Sequence, residues 1–400
     1  MNAVHSVEVV IVGGGPTGLT AAIALAANGI ETALVAPPPP ADNRTTALLS
    51  GSVAALAALD VWPLCAEHSA PLTAIRLIDD TARLIRAPEV TFEASEIGLA
   101  AFGHNIENRY LVAALEKRAA DLASLRRINV AAAAIETGAD GVRVRLVNGA
   151  IVSARLAVGA DGRKSLCRAA AGIETERRLY PQAALTLNIG HGRPHRGVST
   201  EFHTASGPFT LVPLPGERSS VVCVVEPAEA ERLAALDDAA LSIELERRAH
   251  SILGKVMPEP GRGVFPLGVE TARSFAAHRI ALAGEAAHVI PPIGAQGLNL
   301  GLRDAATIGE LVVEARRAGE DVGSPDVLTR YDRLRRADVT GRALAVDMLN
   351  RSLLSDFLPV QGARGFGLYL LDRIKLLRHA VMREGVEPAA QPRLMRGEAL

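Results

Sequence analysis

The chain opens on a strand, a glycine turn, a helix and a second strand, and that order leaves few folds open. Residues 7–12 are a nearly continuous β-branched run, and Gly13-Gly14-Gly15-Pro16-Thr17-Gly18 breaks it. Residues 17–28 are rich in alanine and leucine, and residues 31–36 are apolar again after Gly29. A G-x-G-x-x-G spacing between strand and helix is the fingerprint of a dinucleotide fold. In that geometry Gly13 permits the tight turn, Gly15 lets the backbone approach a pyrophosphate, and Gly18 lets helix and strand pack closely. The first helical turn, with Pro16 and Thr17, then turns its N–H groups toward the phosphate. A bare glycine turn carries the same letters without any ligand, so the rest of the chain has to be weighed with it.

One expected feature is missing. Dinucleotide folds place Asp or Glu about 20 residues past the last glycine to hold the ribose hydroxyls. Here the second strand ends at Ala36, followed by Pro37 to Pro40. Four residues without an N–H cannot continue a central strand, so a loop must follow. Asp42 or Arg44 could contact an adenosine from that loop, and Asp42-Asn43 reads equally well as a plain turn.

Composition bounds the rest. Four hundred residues with 48% apolar content can bury two cores. Lys plus Arg nearly cancels Asp plus Glu, leaving a formal charge of -1, and no basic stripe carries interleaved aromatics, which argues against nucleic acid. Cys65, Cys167 and Cys223 lie far apart and form no C-x-x-C pair, so neither a disulfide framework nor a metal site is expected, and a reducing cytoplasm fits best. The first residues run straight into a strand with no cleavage site, and no apolar run approaches the roughly 18 residues of a membrane span. The expectation is a chain that is neither secreted nor transmembrane.

Residues 74–85 and 183–225 alternate as antiparallel sheet does, and they interrupt segments of α/β character. Beyond Ala305 the chain is helical and Arg-rich, with Pro325 and Pro359 as breaks and a tail, 387–400, expected to fray. The fold class is therefore α/β: a Rossmann-like cofactor domain interleaved with a smaller β-sheet substrate domain, plus C-terminal helices. The cofactor domain is expected to be discontinuous, over 1–72, 98–181 and 270–340. The substrate domain takes 73–97 and 182–269, and the helical region 341–400.

Two later segments carry more chemistry. A strand ends in Val158-Gly159-Ala160-Asp161-Gly162, followed by Arg163, Ser165 and Arg168 on a helical stretch. Taken alone, Asp161-Gly162 is a common turn pair. The other segment is Arg279-Ile-Ala-Leu-Ala-Gly284-Glu285-Ala-Ala-His288, then Pro291-Pro292-Ile-Gly294-Ala-Gln296-Gly297-Leu298-Asn299-Leu-Gly301-Leu-Arg303-Asp304. Pro291-Pro292 stiffens the loop, and Gly294 and Gly297 let backbone pass close to a flat ring. The helix predicted to begin at Leu298 then aims its N-terminus at that ring. His288 lies between apolar stretches, where a histidine is more often packed or hydrogen-bonded than a base. No residue is assigned an acid–base role, and the catalytic residues stay unknown.

These segments, in this order, resemble the group A flavoprotein monooxygenases, which share the p-hydroxybenzoate hydroxylase-like fold. Asp161, Gly162, Ser165 and Arg168 match that family's D-G-x-x-S-x-x-R segment. Arg44-Thr-Thr-Ala-Leu and Phe209-Thr-Leu-Val-Pro-Leu-Pro narrow the resemblance to the ubiquinone-biosynthesis hydroxylases. Tyr331-Asp-Arg-Leu-Arg-Arg-Ala-Asp and Arg364-Gly-Phe-Gly-Leu look similar too, although as residues they are simply amphipathic helices. The resemblance covers most of the chain and implies FAD. By implication Asp161-Gly162 lies against the pyrophosphate near nicotinamide entry. Glu285, where the family more often has Asp, lies next to the ribityl and phosphate region beside Gly284. Arg109, which reads equally as a solvated charge at a helix start, matches an arginine near the pyrophosphate. Pro292, Gly294, Gln296, Gly297, Leu298 and Asn299 then face the isoalloxazine, where a positive helix end stabilises the negative charge of the reduced ring.

With a single G-x-G-x-x-G there is no second dinucleotide fold, so NADH or NADPH would bind transiently. The implied activity is that of an NAD(P)H-dependent monooxygenase that uses O2 to hydroxylate a phenolic ring, in this subfamily a polyprenylated phenol of ubiquinone biosynthesis. Hydroxylation of another small aromatic substrate remains open. So does a non-catalytic flavoprotein, an assembly factor or redox sensor, and so does a dinucleotide module without flavin. A prenylated substrate implies an apolar path to a membrane. Residues 351–383 mix Leu353, Leu354, Phe357, Leu358, Phe366, Leu370, Leu371, Leu376 and Leu377 with six Lys/Arg and two Asp. They read as helices packed on the body, or as a surface that skims the inner face of a membrane or joins a biosynthetic complex.

Overall fold

The computed structural model describes residues 4–39, 42–81, 87–292, 294–354, 367, 369–371, 373–386, 388 and 390–400. β1 (Val4–Val12) leads into α1 (Pro16–Ala26) and β2 (Thr32–Val35), with β2 parallel to β1. Val9, Val10 and Ile11 are fully buried, as befits a strand covered on both faces. Every residue of α1 from Gly18 onward is buried, so this helix belongs to the core rather than to the surface.

The chain then builds a small sheet and starts a second large one. β3 (Thr45–Leu49), α2 (Ser50–Ala58) and β4 (Ser69–Pro71) precede β5 (Ala74–Asp79), β6 (Val90–Glu93) and β7 (Gly103–Glu107). β3, β7 and β4 form a three-stranded sheet. α3 (Asn108–Ala120) and β8 (Leu125–Ile128) return to the first sheet, followed by β9 (Ala132–Thr137), β10 (Val142–Leu146) and β11 (Ile151–Gly159). After α4 (Leu166–Ala170) come β12 (Thr175–His191), β13 (Val198–Thr204), β14 (Gly207–Leu214) and β15 (Arg218–Val225). Helices α5 (Pro227–Ala235) and α6 (Asp238–Arg248) lead to β16 (Val256–Pro258) and β17 (Gly263–Ala272). β18 (Ala276–Ala277), β19 (Ile280–Leu282) and β20 (His288–Val289) precede α7 (Gln296–Arg317), α8 (Pro325–Leu354) and α9 (Lys375–Val386).

The first sheet runs β18-β19-β11-β1-β2-β8, and β8, β2, β1, β11 and β19 are parallel neighbours. β11 shares one edge between two partners: its first half pairs antiparallel with β10, its last three residues parallel with β19. The nine-stranded sheet runs β20-β17-β12-β15-β14-β13-β5-β6, with β16 on β12. One face of it carries Leu185, Leu187, Val221, Cys223, Phe209 and Leu211 into a second core with α5 and α6. On the other face a row of half-buried residues, Thr186, Val222 and Thr210, crosses three adjacent strands.

Three expectations change. Residues 74–79 pair antiparallel with β6 but parallel with β13, because the chain reaches β13 only after a long excursion through the first sheet. α7 starts at Gln296, two residues ahead of Leu298, since Ala295 takes the left-handed conformation at the N-cap. The tail does not fray over its described residues 390–400. Leu394, Met395 and Leu400 are buried, and Gly51 on α2 and Gly309 on α7 leave the room they fill. Arg317 closes this contact by donating to the Leu400 carbonyl at 3.0 Å. Pro325 does open α8, whereas Pro359, Phe357, Leu358 and Phe366 lie outside the described residues.

Candidate functional site

The glycines of the first turn divide into two kinds. Gly13 has φ +117°, and a Cβ there would stand 2.1 Å from the Ala160 carbonyl oxygen at the end of β11. A Cβ on Gly18 would stand 2.0 Å from the Gly13 oxygen. Both are demanded by the packing of α1 against β1 and β11. Gly15 is different: a Cβ there meets no atom within 4 Å, and its φ of -74° suits any residue. It is the N-cap of α1, no side chain caps the helix, and the first turn holds no acid. The uncapped N–H groups and the open space above Gly15 form a cradle for an anion.

At the end of β2, where the fingerprint expects a carboxylate, Arg127 of β8 occupies the corner. It donates to the Ala36 carbonyl at 2.8 Å and pairs with Glu116 of α3 at 3.2 Å. The acid at this corner, Glu116, therefore arrives from another helix and is already engaged. Sequence reading missed this pair, since only the tertiary fold brings α3 and β8 to β2.

Gly284 and Gly301 join this cradle to the opposite end of the site. A Cβ on either would approach the Thr17 hydroxyl, at 3.0 and 2.4 Å, so Thr17 is wedged where α1 meets α7 and the turn after β19. The N-terminus of α7 again lacks a side-chain cap and a first-turn acid, and the Cβ positions of Gly294 and Gly297 are open. Two bare helix ends thus converge on adjoining open space, each suited to negative charge. Pro292 is exposed at the rim, Leu298 packs on the main core, and Ile293 lies outside the described residues.

Asn299 is buried and fully engaged. Its Nδ2 donates to the carbonyls of Ala47 (2.8 Å) and Ala295 (2.5 Å), and its Oδ1 accepts from Leu49 N (2.9 Å) and Ser52 Oγ (2.6 Å). The side chain braces α7 against β3 and α2, which leaves backbone as what this residue could offer a ligand. Gln296 donates to the Gly294 carbonyl at 3.0 Å and accepts from Arg342 of α8 at 3.3 Å.

The Asp161 carboxylate is likewise occupied within its own loop. It accepts from Ser165 Oγ (2.6 Å), Leu166 N (2.7 Å) and Cys167 N (3.1 Å), so it satisfies the first two N–H groups of α4 and holds the N-cap Ser165, while Gly162 has φ +78° and an open Cβ position. Arg168 extends from α4 to the Ala286 carbonyl at 2.9 Å and is largely buried, and Arg163 pairs with Glu285 at 3.2 Å in a half-exposed pair. The Asp161 and Glu285 segments, 124 residues apart in the chain, are thereby fastened to each other.

Arg44 and Arg109 lie nearer the second sheet. Arg44 grips Asp42 with Nε and Nη2 at 2.9 and 2.8 Å and stands 5.7 Å over the Phe265 ring. Burial opposes the charge of Asp42, but the hydrogen bonds from Arg44 and Asn108 outweigh it and hold the carboxyl below its usual range. A cleft of about 320 Å³ opens here, lined by Arg44, Thr186, Gly263 and Phe265 among others. Arg109, in the first turn of α3, pairs with buried Glu107 at 3.0 Å. Glu107 also meets Arg218 at 3.4 Å, and Arg218 clamps Glu259 with two bonds at 2.7 and 2.6 Å, which depresses the Glu259 carboxyl.

His288 is buried, with Nε2 2.6 Å from Asp304 Oδ2 and no partner for Nδ1. Donation to a carboxylate fixes the proton on Nε2, and the ring is packed rather than presented. Asp304 and its partner Arg335 were not singled out from the sequence. A charged pair, Arg303-Asp304, inside the otherwise uncharged stretch 296–309 was the available signal for the first. Among the described residues no group of His, Cys, Asp and Glu could hold a metal.

The FAD binding domain family matches residues 6–343. The chain belongs to this family. It is 36% identical to the ubiquinone hydroxylase UbiL of Rhodospirillum rubrum, across 98% of this chain and 93% of that protein. It is 29% identical to the 3-demethoxyubiquinol 3-hydroxylase of Escherichia coli, across 94% and 97% respectively. In fold it is similar to the p-nitrophenol 4-monooxygenase PnpA of Pseudomonas putida, with a TM-score of 0.78 at 18% identity over 96% of this chain and all of that one. This flavoprotein is therefore an FAD-dependent monooxygenase. The cradle fits the cofactor: its two uncapped helix ends and its open glycines suit a pyrophosphate at one end and an electron-accepting ring at the other.

Proposed function

We propose that this flavoprotein hydroxylates the ring of a polyprenylated phenol in ubiquinone biosynthesis, taking electrons from NADH or NADPH and oxygen from O2. The observation that carries this reading is the 36% identity to a ubiquinone hydroxylase over nearly the whole chain, together with bare helix ends at both extremities of the cradle. Bound FAD would supply the redox and oxygen-activating chemistry. Thr17 and Gly18 N–H groups in the first turn of α1, beside Gly13, Gly15 and Pro16, would hold the pyrophosphate, with Arg44 and Arg109 on its flank. The Asp161-Gly162 and Gly284-Glu285 turns would line its middle. Pro292, Gly294, Gln296, Gly297, Leu298 and Asn299 would line the ring, the helix end of α7 stabilising the anionic reduced form. The half-buried row Thr186, Val222 and Thr210 would hold the substrate ring, excluding water and fixing its orientation.

The same reading assigns 1–72, 98–181 and 270–340 to the cofactor, 73–97 and 182–269 to the substrate, and 341–400 to a helical appendage. Among the described residues no helix is long and apolar enough to cross a membrane. We place the protein in the cytoplasm, at the inner membrane face, through α9. Arg378, Met382 and Val386 anchor this helix: Arg378 meets Glu96 at 2.6 Å and lies 4.5 Å over Phe92. Ile374, Leu376, Leu377 and Val381 remain exposed beside Arg373, Lys375 and Arg383, a pattern suited to anionic lipid.

The test is incubation of protein, FAD, reduced nicotinamide and O2 with prenylated and unprenylated phenols, with products followed by mass. A product carrying one added oxygen is expected from the prenylated ring, whereas hydrogen peroxide alone across the panel refutes the substrate. Anionic liposomes should retain the wild type and release a Leu376→Ser, Leu377→Ser double variant; equal retention refutes the membrane placement.

A further inference from the structure

Asp304 is completely buried, yet three charged or polar donors from three other elements converge on it. Gly284 N–H reaches Oδ2 at 2.8 Å from the turn after β19, His288 Nε2 reaches the same oxygen at 2.6 Å from β20, and Arg335 Nε reaches Oδ1 at 2.6 Å from α8. Arg335 continues to Asp338 at 2.7 Å. Asp338 accepts from Arg342 at 2.9 Å, and Arg342 donates to Gln296 at 3.3 Å, the first residue of α7. Gln296 closes on the Gly294 carbonyl at 3.0 Å. A continuous polar chain thus runs from Gly284 through Asp304, Arg335, Asp338, Arg342 and Gln296 to Gly294. It begins and ends on glycines assigned above to the cofactor, and its middle lies on α8, to which no cofactor contact is assigned.

Stability alone does not account for this arrangement. A buried ion pair roughly breaks even against well-packed apolar residues, and its best-attested use is to fix one geometry among several. Here three arginines, Arg303, Arg335 and Arg342, face two acids, Asp304 and Asp338, so the cluster holds one more cation than anion. Burial pushes the Arg303 guanidinium down to about 10. Such a cluster is a poor adhesive but a well-determined spacer, because each donor has a fixed direction.

We propose that Asp304, Arg335 and Arg342 are positioning residues of the flavin site, setting the spacing between the Gly284 turn and the Gly294–Gln296 turn through α8. The inference rests on the FAD reading above. Partners one shell behind metal ligands change metal affinity by about ten-fold or more when removed, and an effect of that order is expected here. A merely structural role would change only the melting of the chain.

Four variants of the full-length chain separate these outcomes: Arg342→Met, Arg335→Met, Arg335→Lys and, as control, Arg330→Ala, whose partner Glu314 lies on the outer surface. The readouts are apoprotein melting, FAD dissociation constant by fluorescence quenching well below the melting point, and midpoint potential of the bound flavin. Arg342 is the most exposed of the three arginines, so Arg342→Met should lose less stability than Arg335→Met, bind FAD about ten-fold more weakly, and shift the potential. Arg335→Met should lose both stability and affinity, with Arg335→Lys recovering part of the affinity, and Arg330→Ala should change neither. Wild-type affinity and potential in Arg342→Met and Arg335→Lys would overturn the inference, whatever their melting points. A wild-type chain that binds no FAD would overturn the cofactor reading itself, and the inference with it.

Discussion

Gly15→Ala and Gly18→Ala should separate two demands that one sequence motif fuses. At Gly18 the new methyl would stand 2.0 Å from the Gly13 carbonyl oxygen and 3.2 Å from the Ala160 Cβ. The helix must slide to admit it, and overpacking of this kind costs about 3 kcal/mol at the upper end of its range. The helical preference of Ala over Gly returns about 1 kcal/mol, which leaves a net loss of about 2 kcal/mol in the apoprotein. At Gly15 the methyl meets nothing within 4 Å and the backbone is already extended. The poorer N-cap and the stiffer unfolded chain offset each other to within about 0.5 kcal/mol. The methyl instead enters the space assigned to the pyrophosphate. Losing one or two charge-assisted hydrogen bonds there removes about 3 kcal/mol, more than a hundred-fold in affinity. Urea unfolding of the apoproteins and quenching titrations with FAD measure the two quantities separately. Equal destabilisation of both variants, or wild-type FAD affinity in Gly15→Ala, would refute the reasoning.

Asn299→Ala should destabilise the apoprotein by about 2–3 kcal/mol in urea, because it strands the Leu49 N–H and Ser52 hydroxyl in a buried site. Arg163→Gln should change unfolding by less than about 1 kcal/mol, since the Arg163–Glu285 pair is half exposed. Acid should weaken the fold through Asp338, whose carboxyl is lowered to about 2 because Arg335 and Arg303, with the hydrogen bonds from Arg342 and Arg335, outweigh burial. A depressed folded-state value means that the contribution is present above the unfolded value of 3.8 and disappears as pH falls toward about 2. It amounts to no more than about 2.5 kcal/mol, and urea midpoints taken across that window should fall less steeply in Asp338→Asn than in wild type.

What could be read from the residues was whatever the backbone dictates over short distances. Gly18 is forced by the Gly13 carbonyl within its own turn, so the glycine spacing announced the β1-α1 crossing, whereas the Ala160 oxygen that excludes a Cβ at Gly13 arrives from the end of β11. Thr186, Val222 and Thr210 alternate with core residues, and the period of two placed them on a sheet. The side chains that finish the site follow other rules. Asp161 looks like a ligand-facing residue and serves first to hold the start of α4 and its cap Ser165, since the same Asp-Gly turn suits both. Asn299 reads as part of a ring-facing helix end and turns out to brace β3 and α2. Arg335 is indistinguishable in sequence from its exposed neighbours Arg333 and Arg336; only the crossing of α8 over α7 buries one of the three. The tail was misjudged for a similar reason, because the glycines that receive Leu400 and Met395 lie far upstream.

The parallel sheet has a consequence for how the protein is made. Its central strands are contributed by residues 4–12, 151–159 and 280–282, and β1 cannot be flanked on its second side until β11 exists. During synthesis from the N-terminus, the first βαβ unit emerges with one edge of β1 unpaired, its apolar half Val9–Val12 included, and must wait for more than a hundred further residues. The last parallel strand and the α7 helix that covers α1 arrive only after residue 280. Folding governed by such distant pairings is slow, and exposed strand edges invite aggregation. Nascent chains cut short between β11 and β19 should therefore be held by chaperones rather than fold, and the nine-stranded sheet, which also needs β17, should close at nearly the same moment as the first.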